Sequence, residues 1–348
     1  MSPPPRLLSL ATAVPPYRLE QRDVMKIAAR LFDGAFVDLD RLLGVFANAA
    51  IETRYSCVPI DWYMDDHGLA ERNALYLENA VTLLERVAAD GLAAAGLTAE
   101  DIDLIVSVSS TGIATPSLDA LLMERMPFRR DVQRLPIFGL GCAGGVLGLA
   151  RAAAFARAEA GSRVLFLVVE LCALTFQRAD LSKSNLIAIA LFGDGAAAGV
   201  VSRAGEGPAI TGWGEYTWPR SLDIMGWNIV DEGFGVLFSR DIPTLVRGKI
   251  RAATETVLAR QGLALGDIDS FICHPGGAKV IDALEEAYGL APGGLEHSRA
   301  VLRDYGNMSA ATVLFVLDRA LKAAGGRRHL LSSLGPGFTA AFLTLEEA

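Results

Sequence analysis

No CxxC pair occurs among the four cysteines of the 348-residue chain, Cys57, Cys142, Cys172 and Cys273. Scattered cysteines argue against a zinc site or a disulfide framework and fit a reducing cytoplasm. Positive charge is in deficit: 32 Lys and Arg stand against 40 Asp and Glu, a formal net charge of −8. A nucleic-acid binder, which displaces counterions with a basic face, is therefore not expected. Long apolar runs are missing too. The most apolar stretch, "RVLFLVVELCALTF", is broken by Glu170, so no membrane span is expected. The opening "MSPPPRLLSL" lacks a basic region followed by a long apolar one, so no signal peptide is expected either. With 51% apolar residues the chain can bury a large core. The class these features leave is a cytoplasmic α/β enzyme.

The chain repeats itself. "GLTAEDIDLIVSVSS" begins at Gly96 and "GLALGDIDSFICHP" at Gly262, and each follows a helix-like segment closed by glycine. At the same offset "GCAGGVLGLARAAAFARAEAG" falls near "GNMSAATVLFVLDRALKAAGG", both opening with small residues and continuing as an apolar helix. "SRVLFLVVE" likewise falls on "RHLLSSLGP", two short apolar runs that read as buried strands. Three matching elements in one order predict two βαβ-rich halves, 1–205 and 206–348. Cys142 and Asn307 then hold near-equivalent places at the starts of two central helices, while His274 ends a strand of the second half. Ligands of α/β sheets gather outside the carboxyl ends of strands, so the three residues could share one centre.

Each of the three has a bland reading beside a chemical one. Small residues flank Cys142 in "FGLGCAGGVLGLA", which suits a tight turn into a helix whose N-terminus favours thiolate. The alternative is an inert buried thiol, the reading adopted for Cys57, Cys172 and Cys273. Pro275 biases His274 toward extended backbone and the glycines behind it release the chain, which fixes the imidazole in direction; a hydrogen-bonded core histidine would look alike. Asn307 could cap a helix or aim its amide at an oxyanion. His67, His297 and His329 lie in polar or basic stretches and are expected at the surface. A cysteine with histidine and asparagine suggests either a papain-like protease or acyl transfer joined to carbon–carbon bond formation. The protease signature, C-G-[SA]-C-[WY] near the N-terminus, is absent, which leaves the second class.

Over nearly its whole length the chain resembles the thiolase superfamily, and within it the type III polyketide synthases. The resemblance rests on "FGLGCAGG", "ALFGDGAAA", "SRDIP", "CHPGGAKVIDALE", "YGNMSAATVLFVLD" and "LGPGFTAAFL". It implies a layered αβαβα thiolase-like fold, a homodimer, and catalysis by Cys142, His274 and Asn307. Cys142 would take up a starter acyl group from acyl-CoA. His274 would pair with its thiolate, and with Asn307 would stabilise the enolate left when malonyl-CoA loses CO2. Phe192 and Phe238 match the two aromatic gatekeepers between CoA tunnel and cavity, although either could be plain core. Ser110, Thr115, Thr175, Ile229 and Ser309 match the elongation cavity, and Gly276 and Gly277 would let backbone approach the pantetheine arm. CoA thioesters would serve as substrates without a carrier protein, a cofactor or a metal.

Some departures bear on substrate. Plant members carry methionine where Thr115 aligns and glycine where Ile229 aligns, so a coumaroyl starter is not expected. Tetrahydroxynaphthalene synthases carry a further cavity cysteine near Ser110, which this chain lacks. The segment "TGIATPSLDA" resembles members that take long fatty acyl starters, which points to alkylpyrone or alkylresorcinol products. The basic residues at the CoA mouth are not clearly matched, leaving Arg54 and Lys279 as candidates, with a solvated or structural charge the favoured reading of each. Three competing readings remain: a ketoacyl synthase III that condenses once on acyl carrier protein, a non-catalytic dimer partner, and a CoA-thioester hydrolase.

Overall fold

A computed structural model describes residues 3–323 and 325–347. Strand β1 (Arg6–Ala13) precedes a small sheet of β2 (Tyr17–Glu20) and β3 (Thr53–Ser56), between which run helices α1 (Gln21–Leu31) and α2 (Leu39–Asn48). The first half continues with α3 (Leu69–Ala94), β4 (Leu104–Val108), α4 (Leu118–Leu122), β5 (Gln133–Ile137), α5 (Gly144–Ala158), β6 (Arg163–Leu171), α6 (Lys183–Leu191) and β7 (Asp194–Ser202). The second comprises β8 (Ala209–Thr217), a hairpin of β9 (Met225–Val230) and β10 (Gly233–Phe238), α7 (Ile242–Ala259), β11 (Ser270–Cys273), α8 (Ala278–Tyr288), α9 (Glu296–Tyr305), α10 (Thr312–Ala323), β12 (Arg328–Gly335) and β13 (Thr339–Glu346).

The duplication is visible in strand order. Outward from the middle, the first half reads β1-β7-β6-β4-β5 and the second β8-β13-β12-β11. Both halves place two antiparallel pairings before a parallel one. Strand β4 opens at Leu104 and β11 at Ser270, 166 positions on. Within the nine-stranded sheet the halves join at β1 and β8 through one registered pair, Arg6 with Ala209.

Five layers follow from which faces are apolar. β6 reads as an unbroken apolar run, and from Val164 to Leu171 every residue is buried, as a strand covered on both faces must be. Its inward residues Val164, Phe166 and Val168 pack with α5 and α10 in a central core that also takes Leu331, Ala341 and Leu343 from the other half. Its outward residues Leu165, Leu167 and Val169 meet α3. On the far side α7 and α8 cover Leu330, Ala340 and Phe342. The order is thus helix, sheet, central helix pair, sheet, helix, the thiolase-like arrangement.

Close approach of the two central helices needs glycine. A Cβ on Gly145 would sit 2.2 Å from the carbonyl oxygen of Ala310. The small residues after Cys142 therefore let the start of α5 press on the turn before α10. That contact brings the two copies' functional ends together.

Candidate active site

Cys142 lies in a short 3-10 turn, Gly141–Ala143, immediately before α5. Gly141 adopts φ +47°, a region where glycine is favoured, and this turns the chain from β5 toward the helix. In the second half the turn Ser309–Ala311 precedes α10 in the same way. The Cys142 thiol lies 3.6 Å from the Ser309 hydroxyl. His274 follows β11 directly, held by its backbone N–H on the Ser332 carbonyl at 2.8 Å. Its ring is buried, and neither ring nitrogen has a hydrogen-bond partner among the described residues. Cys142, His274 and Asn307 line one cavity of about 850 Å³, together with Gly276, Gly277 and Phe238.

Asn307 is not the cap that one reading of the sequence expected: Met308 holds the N-cap position of the Ser309–Ala311 turn. Asn307 Oδ1 accepts the Ser309 N–H at 2.8 Å two residues on, an Asx-type turn that fixes the amide. Its Nδ2 donates to the Gly276 carbonyl at 3.3 Å, which leaves a second N–H on the same nitrogen.

Burial sets the resting charge of the site. It pushes the Cys142 thiol up to about 12; the hydrogen bond to Ser309 pulls the other way and the Glu170 carboxylate adds to the rise. The helix N-terminus alone would favour thiolate, but desolvation outweighs it. Burial likewise holds His274 down to about 3. Thiol and imidazole are therefore both neutral at rest, and a neutral imidazole keeps one N–H to donate and one nitrogen to accept a proton.

Phe192 and Phe238 face each other with ring centroids 5.7 Å apart, and Trp227 of β9 stands 6.0 Å from Phe192. Phe238 lines the main cavity. Phe192 and Thr175 line a smaller apolar cavity of about 60 Å³ behind it. Ser309 touches Cys142, as described. Ser110 is buried, its N–H and hydroxyl both donating to Glu170 at 2.9 and 2.8 Å. Of the five expected cavity residues only Thr175 lines a cavity; Ser110, Ser309, Thr115 and Ile229 fall in neither lining. Thr115 is exposed and Ile229 is 69% exposed near the hairpin tip. Gly276 and Gly277 lie in the main wall, with the Gly276 carbonyl already taken by Asn307.

Two expectations are corrected. Arg54 is no phosphate ligand: it is buried, and its guanidinium donates to the carbonyls of Ile189, Ala190 and Phe192 and to the Gln21 side chain. His329 is no surface residue. It points inward from β12 with no exposed area and pairs with Glu347 at 3.0 Å. β12 is covered on both faces, so from His329 to Gly335 every residue is buried and only Arg328, at its start, keeps some exposure. His67 and His297 keep partly exposed side chains, and Cys57, Cys172 and Cys273 are buried.

Sequence reasoning missed several groups. Arg41, Lys183 and Arg240 are exposed and, with Lys279, line the main cavity at its opening. They lie on separate segments, so no local run of charge announces them. Glu170 is fully buried beside Ser110 and Thr111, and desolvation raises its carboxyl to about 7. Its signal was visible as an acid inside an apolar strand. Trp227, in "MGWNIV", had no signal beyond its aromatic character.

Residues 5–205 match the family model for chalcone and stilbene synthases, N-terminal domain, and residues 216–346 match that for the C-terminal domain. A 1,3,6,8-tetrahydroxynaphthalene synthase of Streptomyces peucetius subsp. caesius is 40% identical, over 96% of this chain and 91% of that protein. A 3,5-dihydroxyphenylacetyl-CoA synthase of Streptomyces toyocaensis is 30% identical, over 97% of this chain and 88% of its own length. The crystal structure of 1,3,6,8-tetrahydroxynaphthalene synthase from Streptomyces coelicolor A3(2) superposes with a TM-score of 0.94 at 31% identity, covering 99% of both chains. The chain belongs to the chalcone and stilbene synthase family and is a type III polyketide synthase, a condensing acyltransferase.

Proposed function

We propose that this type III polyketide synthase loads a fatty acyl group from acyl-CoA onto Cys142 and extends it with malonyl-CoA to an alkylpyrone or alkylresorcinol. The observation that carries the reading is the single cavity that holds Cys142, His274 and Asn307, with four basic side chains at its opening and Phe238 in its wall. The basic side chains suit the phosphates of coenzyme A; an exposed basic patch would equally suit an acidic carrier protein, and it is the match to the chalcone and stilbene synthase family that favours free CoA thioesters.

The chemistry follows from the resting charges. Cys142 Sγ attacks the starter thioester carbonyl as His274 accepts its proton. The bond to the new sulfur forms, the bond to the CoA sulfur breaks, and the proton passes to the departing CoA thiolate. Malonyl-CoA then occupies the opening. Its carbon–carboxylate bond breaks, CO2 leaves, and the electron pair remains as an enolate whose oxygen accepts N–H groups of neutral His274 and of Asn307. The enolate carbon attacks the Cys142 thioester, sulfur leaves, and a 3-ketoacyl-CoA two carbons longer is released to reload. A buried imidazole is well suited to this second task, because it donates without needing to be charged.

Two features support the alkyl starter. The space behind Phe192 is apolar, lined by Leu19, Val24, Ile27, Leu31 and Val236, and at about 60 Å³ it takes only the first few carbons of an alkyl chain. The extra cavity cysteine of tetrahydroxynaphthalene synthases is absent. A second reading, a product built from malonyl units alone, is favoured by the 40% identity to a tetrahydroxynaphthalene synthase.

Incubation with malonyl-CoA and starters from acetyl to long-chain acyl and aromatic, followed by mass spectrometry, separates these. Alkylpyrones or alkylresorcinols carrying two or more malonyl units are expected. A product from malonyl-CoA alone selects the second reading, and a single 3-ketoacyl product overturns both. The working unit is a homodimer: edge strand β5 leaves Leu135 and the adjacent Phe138 exposed beside no further strand, which a second copy would cover. Sedimentation at the mass of one chain would overturn it.

A further inference from the structure

Three segments that carry the candidate elongation-cavity positions are tied to one short stretch of α3. Arg72, in its first turn, is buried. Its Nη1 donates to the Phe176 carbonyl at 2.6 Å, just past Thr175, and its Nη2 donates to the Glu232 carbonyl at the tip of the β9–β10 hairpin. That hairpin carries Trp227, Ile229 and Phe238. The next residue, Asn73, makes a reciprocal pair with Ile113: its Nδ2 donates to the Ile113 carbonyl at 2.9 Å and its Oδ1 accepts the Ile113 N–H at 2.8 Å. Ile113 lies midway between Ser110 and Thr115. One turn on, the Tyr76 hydroxyl donates to the Ser109 hydroxyl at 2.8 Å, and its ring lies where a Cβ on Gly112 would be 2.2 Å away.

We infer that Arg72, Asn73 and Tyr76 are positioning residues that set the span of the elongation chamber and hence the number of condensations. The hairpin and the turn ending at Phe176 share no strand pairing. Side chains of the two do pack, Cys172 against Trp227, Val236 and Phe238, and the hairpin tip is tied to Phe176 through one rigid guanidinium, whose fork reaches both carbonyls at once. Gly233, at φ +123°, lets the hairpin tip come this near; a Cβ there would lie 3.3 Å from Arg72 Nη2. Arg72 touches no residue of the Cys142 turn in this network, so removing it should alter how much chain fits rather than whether Cys142 is acylated. The inference rests on the polyketide reading above.

The test is a product ladder from malonyl-CoA and one fixed starter, with Cys142 acylation followed separately by intact-protein mass. Arg72→Gln keeps the stem and loses the double tie. The proportion of product with one further malonyl unit should rise by about threefold or more while the acylation rate stays within about twofold. Arg72→Lys, which can bond one carbonyl, should fall between. A merely structural role would lower the melting temperature and leave the ladder unchanged, and that result in a folded variant overturns the inference. So does a parallel fall of acylation and extension. Should Arg72→Gln not fold, Asn73→Ala, at a half-exposed position, carries the same expectations. A wild-type protein that makes no polyketide overturns the functional reading and this inference with it; a normal wild-type ladder that the variants leave untouched overturns this inference alone.

Discussion

The backbone of Asn307 is locked to that of Phe192. Asn307 donates its N–H to the Leu191 carbonyl at 2.8 Å, and its own carbonyl accepts the Gly193 N–H at 3.0 Å. One half of the chain thereby holds a proposed gatekeeper at fixed distance from the other half's proposed enolate donor. The Asn307 amide is further fixed by Ser309 and Gly276.

Asn307→Ala removes the enolate donor and leaves this bridge intact. Malonyl-CoA decarboxylation should fall by about 10²-fold, the scale of one lost oxyanion donor. Acylation of Cys142 should change far less. The lost hydrogen bond to the Ser309 N–H costs about 1 kcal/mol, visible as a small fall in melting temperature. Equal losses in loading and decarboxylation would remove Asn307 from the enolate step.

Neutral Cys142 and His274 make a pH prediction. Burial holds the thiol up near about 12, against an ordinary 9.0. Iodoacetamide labelling of Cys142 in the free enzyme should therefore keep rising with pH beyond 9, with no plateau near neutrality; a plateau there would mean a standing thiolate–imidazolium pair. The same shifts bear on folding. His274 is held down to about 3 from 6.5, so the unfolded chain binds the extra proton and stability falls as pH drops below 6.5. Cys142 acts at the other end, its contribution lost as pH rises past 9. Cys142→Ala should abolish loading and extension, and should flatten the alkaline limb of the stability curve.

The duplication, and the meeting of Cys142, His274 and Asn307 in one cavity, were legible because both depend on local signals, whereas the layering was implied by the family resemblance. Two copies of an Asp-Ile-Asp strand motif fixed the offset, and small residues at Cys142 and Pro-Gly-Gly after His274 marked tight turns at strand and helix ends. What sequence could not supply was the outcome of contacts between distant segments. Arg54 looked like any charge near the start of the chain. Only the meeting of β3 with the end of α6 makes it a buried cap for three carbonyls. The ring of Arg41, Lys183, Arg240 and Lys279 draws on α2, α6, the turn before α7 and α8, so it exists only in three dimensions. Ile229 was placed in the cavity by its match to the family alone, and such a match does not tell which residues the hairpin leaves in solvent.

These two kinds of basic residue should behave oppositely. Arg54→Met strands buried carbonyls and should cost about 3 kcal/mol or more, read as a large fall in melting temperature or in soluble yield. Arg240→Ala and Lys279→Ala sit in solvent at the cavity opening and should leave stability within about 0.5 kcal/mol. Their effect should appear as a raised KM for both acyl-CoA and malonyl-CoA, relieved when the substrate is a pantetheine thioester lacking the nucleotide phosphates. Unchanged KM in the Arg240/Lys279 double variant would remove those two from the proposed phosphate site.

The aromatic pair makes the last prediction, because its two rings are held differently. Phe192 is 7% exposed and packed with Trp227, Val236 and Cys172, whereas Phe238 is only partly buried and stands in the main cavity wall. Phe192→Ala should cost about 3 kcal/mol by leaving a void in that cluster. Phe238→Ala should cost less and open the main cavity toward the apolar space behind Phe192. Its signature should be kinetic: kcat/KM should shift toward starters longer than the one wild type prefers, with malonyl-CoA decarboxylation nearly unchanged. A Phe238→Ala enzyme with the wild-type starter profile would show that the ring closes nothing, and the gate would then rest on Phe192 and Trp227.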